Sequence, residues 1–253
     1  MRTTSLLLSA IAGCALSLAG CGPTRIDAVG LTPTTLGTGL LAHWTFDQTE
    51  GTTLEDDSGN RRSGIVSGAT WVKDGQFNGA LHFEKGDTVT VDRFPDPGTN
   101  WSFSAWIRIS EEDAANDELG TAISTETYQQ GGWEFQTYGR SSGVYWHFGY
   151  LIESPSKYAH YECKPFDVGR WSHATVVVDA AASLLSFYVD AELVEPRSTW
   201  VPFLPGSPTL FMGRWTGAGR PFVGSLDDVA IYGRALSAAE VAELHRTPAP
   251  RPQ

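Results

Sequence analysis

Residues 101–109, Trp101-Ser102-Phe103-Ser104-Ala105-Trp106-Ile107-Arg108-Ile109, place a side chain of opposite character at nearly every second position. In an extended chain Phe103, Ala105, Ile107 and Ile109 share one face and Ser102, Ser104, Trp106 and Arg108 the other. Thr88–Val91 alternates in the same way, and further strand candidates cover 40–46, 80–84, 121–125, 132–138, 144–151, 171–178, 184–190, 208–213 and 222–232. Gly, Asn, Asp and Pro punctuate them at short intervals. So many strands with no helical period between them exclude βαβ units and leave an antiparallel sandwich or barrel. One helix is expected, at 238–245: Ser237 caps it, Glu240 completes a capping box, and Ala238, Val241 and Leu244 form an apolar stripe.

The amino-terminal residues have a different character. Arg2 precedes an apolar stretch from Ser5 to Leu18 that ends in small residues and a cysteine, the layout of an export signal rather than a membrane span. Leu18-Ala19-Gly20-Cys21 resembles the bacterial lipobox, which implies cleavage before Cys21 and lipidation of its sulfur; Ile11-Ala12-Gly13-Cys14 also fits but leaves a cramped apolar region. Acyl chains on Cys21 would hold the protein to a membrane without a spanning helix. On this reading residues 1–20 are a signal peptide, 21–39 the lipidated cysteine and a flexible Gly/Thr/Pro-rich tether, 40–246 the domain, and 247–253 a frayed tail. The expected location is that of an exported lipoprotein at the outer membrane or cell surface, facing the periplasm or the exterior. Gly22 after Cys21 leans toward an outer membrane, because the familiar aspartate retention signal is missing there.

Cleavage removes Arg2, the one charged residue of that stretch, and takes the net charge from −11 to −12. An acidic body of this kind argues against nucleic acid as a partner and against electrostatic adhesion to anionic lipid. Of the three cysteines, Cys163 is left without a partner within the chain once Cys14 is removed and Cys21 lipidated, so no disulfide framework supports the fold.

Three stretches carry a family likeness: residues 40–92, the pair WSFSAWIRI and GRWSHATVVVDAAASLLSFYVDAELV, and GSLDDVAIYGRALSAAEVAELH at 224–245. In order and spacing together they resemble the laminin G-like, concanavalin A-like jelly-roll domains of bacterial surface and secreted proteins. The resemblance implies an all-β, two-sheet antiparallel sandwich with a short C-terminal helix, its first and last strands meeting near one edge. The sequence departs from the pattern at Ala191, where the hairpin Tyr-Val-Asp-Gly would put glycine, and a different turn type is expected there.

Asp227 and Asp228 are consecutive within the last strand, so alternation sends one toward the core side and one away. A carboxylate on the core side needs a cation or donors. The first strand and the loop after it offer Asp47, Asp57 and Asn60, hard oxygens in a Gly/Asn/Ser-rich loop of the sort that suits Ca²⁺. A structural calcium ion held by Asp47, Asp57, Asn60 and Asp227 is therefore expected. The competing reading is that Asp57-Ser58-Gly59-Asn60 is a turn bonding its own backbone.

A ligand face is the second expectation. With the heavier apolar sets turned inward, Trp106, Arg108, Glu134, Gln136, Tyr138, Tyr145 and His147 form an outward set of aromatic and polar groups. Such a surface suits a sugar, whose ring stacks on an aromatic while its hydroxyls bond side chains. An enzyme is not expected. Glu134 has no acidic partner two positions away, and the chain contains no His-Glu-x-x-His. His160 and Cys163 fall short of a structural zinc site. The expected function is a lipid-anchored binding module for glycans, with a protein–protein or structural surface module as the alternative and a polysaccharide-degrading enzyme as the third class.

Overall fold

The alternating runs pair into two eight-stranded sheets. The computed structural model describes residues 35–109, 114, 119–127, 131–140, 143–153, 157–165, 167–199, 204–217 and 219–250; Cys21 and the expected export segment lie outside them. Sheet A contains β1 (Leu40–Trp44), β4 (Thr70–Val72), β5 (Ala80–Phe83), β7 (Trp101–Arg108), β12 (Ser172–Asp179), β13 (Leu184–Val189), β14 (Glu192–Thr199) and β16 (Gly224–Tyr232). Its order is β14-β13-β12-β7-β16-β5-β4, with β1 also on β16. Sheet B contains β2 (Thr53–Leu54), β3 (Gly64–Ser67), β6 (Thr88–Val91), β8 (Leu119–Ser124), β9 (Trp133–Arg140), β10 (Gly143–Glu153), β11 (Lys157–Pro165) and β15 (Leu210–Met212), ordered β11-β10-β9-β8-β15-β6-β3-β2. The strand pairs are antiparallel, as a two-layer jelly roll requires.

The core forms where the two inner faces meet. Phe103, Ala105 and Ile107 of β7 join Val176 and Val178 of β12 and Leu226, Val229 and Ile231 of β16. Opposite them stand Phe135, Trp146, Phe148, Leu210, Met212, Val89 and Val91. Trp101 lies 4.9 Å from Trp133, and Phe103 lies 5.1 Å from Phe135. Burying each such side chain stabilises the fold by about 1.5–3 kcal/mol, and Phe103→Ala would cost about 3–5 kcal/mol.

A second apolar cluster covers the outer face of sheet A. Helix α1 (Ala238–Arg246) starts at Ser237, whose side chain and that of Glu240 make the reciprocal capping box. Its Val241 and Leu244 pack with Leu36, Leu40, Tyr232 and Ala249. Packing therefore extends beyond residues 40–246. Leu36, expected in the tether, is buried, and Thr35 Oγ1 donates to Glu240 at 2.5 Å. Ala249, expected in the tail, is buried, and its N–H donates to Asp228 at 3.1 Å. The apolar side chains of these flanks are what cover the β1–β16 seam.

Two local geometries differ from expectation. Asp227 and Asp228 do not straddle the sheet. Asp228 has φ 45°, and the β16–β7 register slips between Asp227 and Ala230, a bulge. Asp227 stays opposite Trp106 on the outer face, and the extra residue lets Asp228 reach His43 and Ala249 on that same side. At the β13–β14 hairpin Val189 pairs with Glu192, so Asp190 and Ala191 are the two turn residues, with φ 51° and 63°. Positive φ at both central positions is the type I′ turn, retained here without glycine. The Asp190 carboxylate accepts the His173 N–H at 2.8 Å, which fixes the corner in place.

Candidate functional site

The expected ligand set divides between the two sheets. Alternation separates inward from outward along each strand, but outward from sheet A and outward from sheet B are opposite directions. Trp106 and Arg108 belong to β7 in sheet A, and neither forms a platform. Trp106 is 4 % exposed, with Phe77 5.9 Å away edge-on and His245 of α1 stacked at 5.2 Å. Arg108 pairs with Asp74 at 2.9 Å and lies over Trp171.

The other five residues stand together on the outer face of sheet B. Along β9, Glu134, Gln136 and Tyr138 alternate with the core residues Trp133 and Phe135. Tyr138 is the register partner of Tyr145 in β10, and both are half-buried. Gln136 is the partner of His147 and of Thr121 in β8. Gln136 donates from Nε2 to Thr121 Oγ1 at 3.0 Å, and its Oε1 lies 2.8 Å from His147 Nδ1, so that nitrogen is the donor. Gln136 and Thr121 are themselves fully buried, so Gln136, expected to face a ligand, instead orients the half-buried His147 beside the tyrosine pair.

Glu134 is not solvent-facing, because the loop from β15 to β16 folds back over it. Thr121 N–H donates to Arg220 O at 2.9 Å, and Thr216 Oγ1 donates to Glu126 O, which ties the loop to sheet B. Arg220 Nη1 then reaches both Glu134 oxygens at 3.0 Å, and its guanidinium carbon lies 5.0 Å from the Trp215 ring centre. Burial pushes the Glu134 carboxyl up to about 7; Glu126 adds to the rise and Arg220 opposes it. Glu126 is the acidic neighbour that no strand-local motif contained, since it reaches Glu134 across the β8–β9 connection. Arg214, Trp215 and Arg220 were likewise missed, for they sit in a loop whose sequence has no period.

The register extends this face. Ile65, Thr90, Phe211, Ser124, Glu134 and Gly149 are successive partners across β3, β6, β15, β8, β9 and β10. At strand spacings of about 4.8 Å the row is about 24 Å long. Ile65 at one end is 63 % exposed.

The expected metal ligands meet only in part. β1 and β5 share one edge of β16, and Asp227 lies where the first ends and the second begins. Asp227 Oδ2 accepts the Phe77 N–H at 2.8 Å, and Asp47 Oδ1 accepts the Gly79 N–H at 3.2 Å, so one loop holds both carboxylates. Glycine is needed here: a Cβ on Gly75 would stand 1.9 Å from Gly79 O and 3.0 Å from Asp227 Oδ2. A cavity of about 240 Å³ opens beside Asp47, lined also by Trp71, Lys73 and Asn78. Burial pushes Asp227 up to about 8, with Asp228 and Asp47 adding to the rise and the Phe77 N–H opposing it. Asp57 and Asn60 are engaged elsewhere. Asp57 accepts from Thr45 at 2.9 Å, and the Asn60 amide donates to Leu40 O and Leu41 O at 2.9 Å. That loop is a turn pinned to β1. Among the described residues no group of three or more His, Cys, Asp or Glu stands as a metal centre. The fit to a hard cation is thus confined to Asp47 and Asp227, with buried Asp227 Oδ1 lacking a hydrogen-bond partner among the described residues.

A two-layer jelly roll with a polar and aromatic outer face defines a class, and a family profile agrees. Residues 83–242 match the family described as the concanavalin A-like lectin/glucanases superfamily, Laminin_G_3, and the chain belongs to it. Among solved structures it resembles the binding domain of botulinum neurotoxin serotype D, with a TM-score of 0.65 and 16 % identity over 84 % of this chain. The chain spans 53 % of that domain. It also resembles domain 4 of AbnA, an extracellular GH43 arabinanase from Geobacillus stearothermophilus, solved in complex with arabinotriose. That TM-score is 0.59, with 18 % identity over 81 % of this chain and 98 % of the domain. No curated protein matches by sequence.

Proposed function

We propose that the protein is a glycan-binding module, presented outside the cytoplasm on a lipid anchor at Cys21, and that it binds through the outer face of sheet B. The observation that carries this reading is the half-buried cross-strand pair Tyr138–Tyr145 with His147 beside it, the imidazole oriented from below by the fully buried pair Gln136–Thr121. Aromatic faces take the apolar side of a sugar ring, and the oriented imidazole and the phenol hydroxyls take its hydroxyls. The similar AbnA domain, solved with arabinotriose, supports a sugar as the ligand class. Binding is favoured over catalysis because both Glu134 oxygens are held by Arg220. A general acid of a glycosidase needs a carboxyl able to give its proton to the leaving group. A structural Ca²⁺ between Asp47 and Asp227 is part of the proposal, since that junction leaves a buried carboxyl oxygen unpartnered beside a second carboxylate.

A glycan array probed with the full chain tests the reading. Binding to a defined set of oligosaccharides, lost by about tenfold or more in Tyr138→Ala and Tyr145→Ala, is expected. Silence across the array together with a specific protein partner would replace it with the protein-interaction reading, for which Ile65, exposed at the far end of the same face, is a contact point.

A further inference from the structure

We propose that the sheet B face reads an acidic group on its glycan, a carboxylate or sulfate, and that Arg214 is the specificity-determining residue that reads it. This inference rests on the glycan reading above and goes beyond it by naming the ligand's charge.

The argument starts from ion pairing. The chain carries 29 acidic residues against 18 Lys and Arg, so a partner for each cation is abundant. Arg108 pairs with Asp74, Arg220 with Glu134 and Arg234 with Glu240. Arg214 does not. It has no ion pair and no hydrogen bond among the described residues, although it is half-buried and its Nε is fully covered. Its one contact of note is with Phe211, over whose ring the guanidinium lies at 4.4 Å.

A half-buried, unpaired guanidinium is costly unless an anion completes it. Its planar fork matches carboxylate and sulfate oxygens in pairs, which a neutral hydroxyl cannot match in strength. The placement is also that of a reader. Phe211 points outward, between the core residues Leu210 and Met212, and belongs to the transverse row that contains Glu134. It lies two strands from Glu134, about 10 Å. A sugar chain stacked on Tyr138 and Tyr145 reaches Arg214 only as an oligomer. Glu134 does not repel the acidic group strongly, because Arg220 neutralises it.

The experiment titrates the full chain with matched oligosaccharides, neutral, uronate-containing and sulfated, at low and physiological salt. Wild type, Arg214→Gln, Arg214→Lys and Tyr138→Ala are compared, with melting curves to confirm folding. The expected result is about tenfold or greater preference for an acidic ligand, lost in Arg214→Gln and partly kept in Arg214→Lys. Tyr138→Ala weakens acidic and neutral ligands alike. The uronate and sulfate arms show which acid is read. Equal wild-type affinity for neutral and acidic ligands, or a preference that survives Arg214→Gln, overturns the Arg214 assignment and leaves glycan binding standing. No binding of any sugar overturns both.

Discussion

Replacing Asp227 by Asn should make the protein more stable at neutral pH in the presence of a chelator, and the gain should vanish in acid. Asp227 is fully buried, and its carboxyl is pushed from 3.8 to about 8. Between those values the folded chain holds a proton that the unfolded chain has released, so stability falls as pH rises from about 4 to 8. At pH 7 the gap is about three units, or about 4 kcal/mol at 1.36 kcal/mol per unit. Asparagine is neutral at every pH and keeps an oxygen for the Phe77 N–H. Its amide N–H groups, however, meet a site where Oδ1 has no partner, which costs about 1–3 kcal/mol. The expected net gain is about 1–3 kcal/mol at pH 7, or roughly 2–6 °C for a chain of this size. Below pH 4 only the amide penalty remains, and the variant should melt lower than wild type.

The assay is thermal unfolding of both proteins from pH 3.5 to 8.5 in chelator. A difference in midpoint that is flat across that range, or a variant that melts lower at pH 8, would refute the burial argument. The same melts with excess calcium test the cation. If Asp47 and Asp227 share Ca²⁺, wild type gains about 2.7 kcal/mol at a hundredfold excess over the dissociation constant, and Asp227→Asn gains little. Equal responses, including none in either, would remove the calcium site.

Ala191→Gly should stabilise the β13–β14 hairpin by about 0.5–1 kcal/mol, because Ala191 sits at φ 63°, where a Cβ costs about 1–2 kcal/mol and glycine's entropy loss offsets part of the relief; a lower melting midpoint would contradict the turn assignment. For Glu240, burial works against ionisation, yet hydrogen bonds from Arg234, Thr35 and Ser237 hold its carboxyl down at about 2. Its contribution is present above about pH 4.5 and lost as pH falls toward 2, so Glu240→Gln should cost about 1–2 kcal/mol at pH 7 and almost nothing near pH 2, read by denaturant unfolding. Arg220→Ala should leave Glu134 buried without its cation and cost about 2 kcal/mol at pH 7; an unchanged midpoint would show that the loop pairing adds nothing.

The period-two signal located the long strands, and the residues show why it stopped there. β7, β9, β10 and β12 carry apolar residues at every second position because each lines the core, and β16 does so on either side of its bulge. β2 and β4 have two and three residues, too few for any period, and β14 includes Pro196 and charged residues, as suits a sheet edge. The site was legible strand by strand but not across strands. Alternation put Glu134, Gln136, Tyr138, Tyr145 and His147 on the outer side of their strands, whereas the sheet that each strand joins, and the burial of Glu134 and Gln136, are set by topology. That information placed Trp106 and Arg108 on the opposite layer. The bulge at Asp228 was unreadable for a related reason: an Asp in left-handed conformation leaves no trace in composition, and one inserted residue reverses the side on which its neighbours project.

The two outer faces have different fates, and this favours sheet B as the binding face independently of its aromatics. On sheet A the segment at Leu36 and the stretch from α1 to Ala249 pack over β16 and bury Trp106, His43 and Asp228. On sheet B the cover is a loop that carries Arg214, Trp215 and Arg220, so what lies over the sheet is itself a set of ligand-type side chains. A face closed by apolar side chains has satisfied its own surface; one closed by a half-paired arginine loop has not. If Leu36→Asp were to detach the first segment, sheet A would lose its cover and the protein should melt lower by several degrees, while sugar affinity on sheet B stays within about twofold because separated sites act independently. A loss of sugar binding in the folded variant would show that the two faces are coupled, and would move the site away from the tyrosine pair.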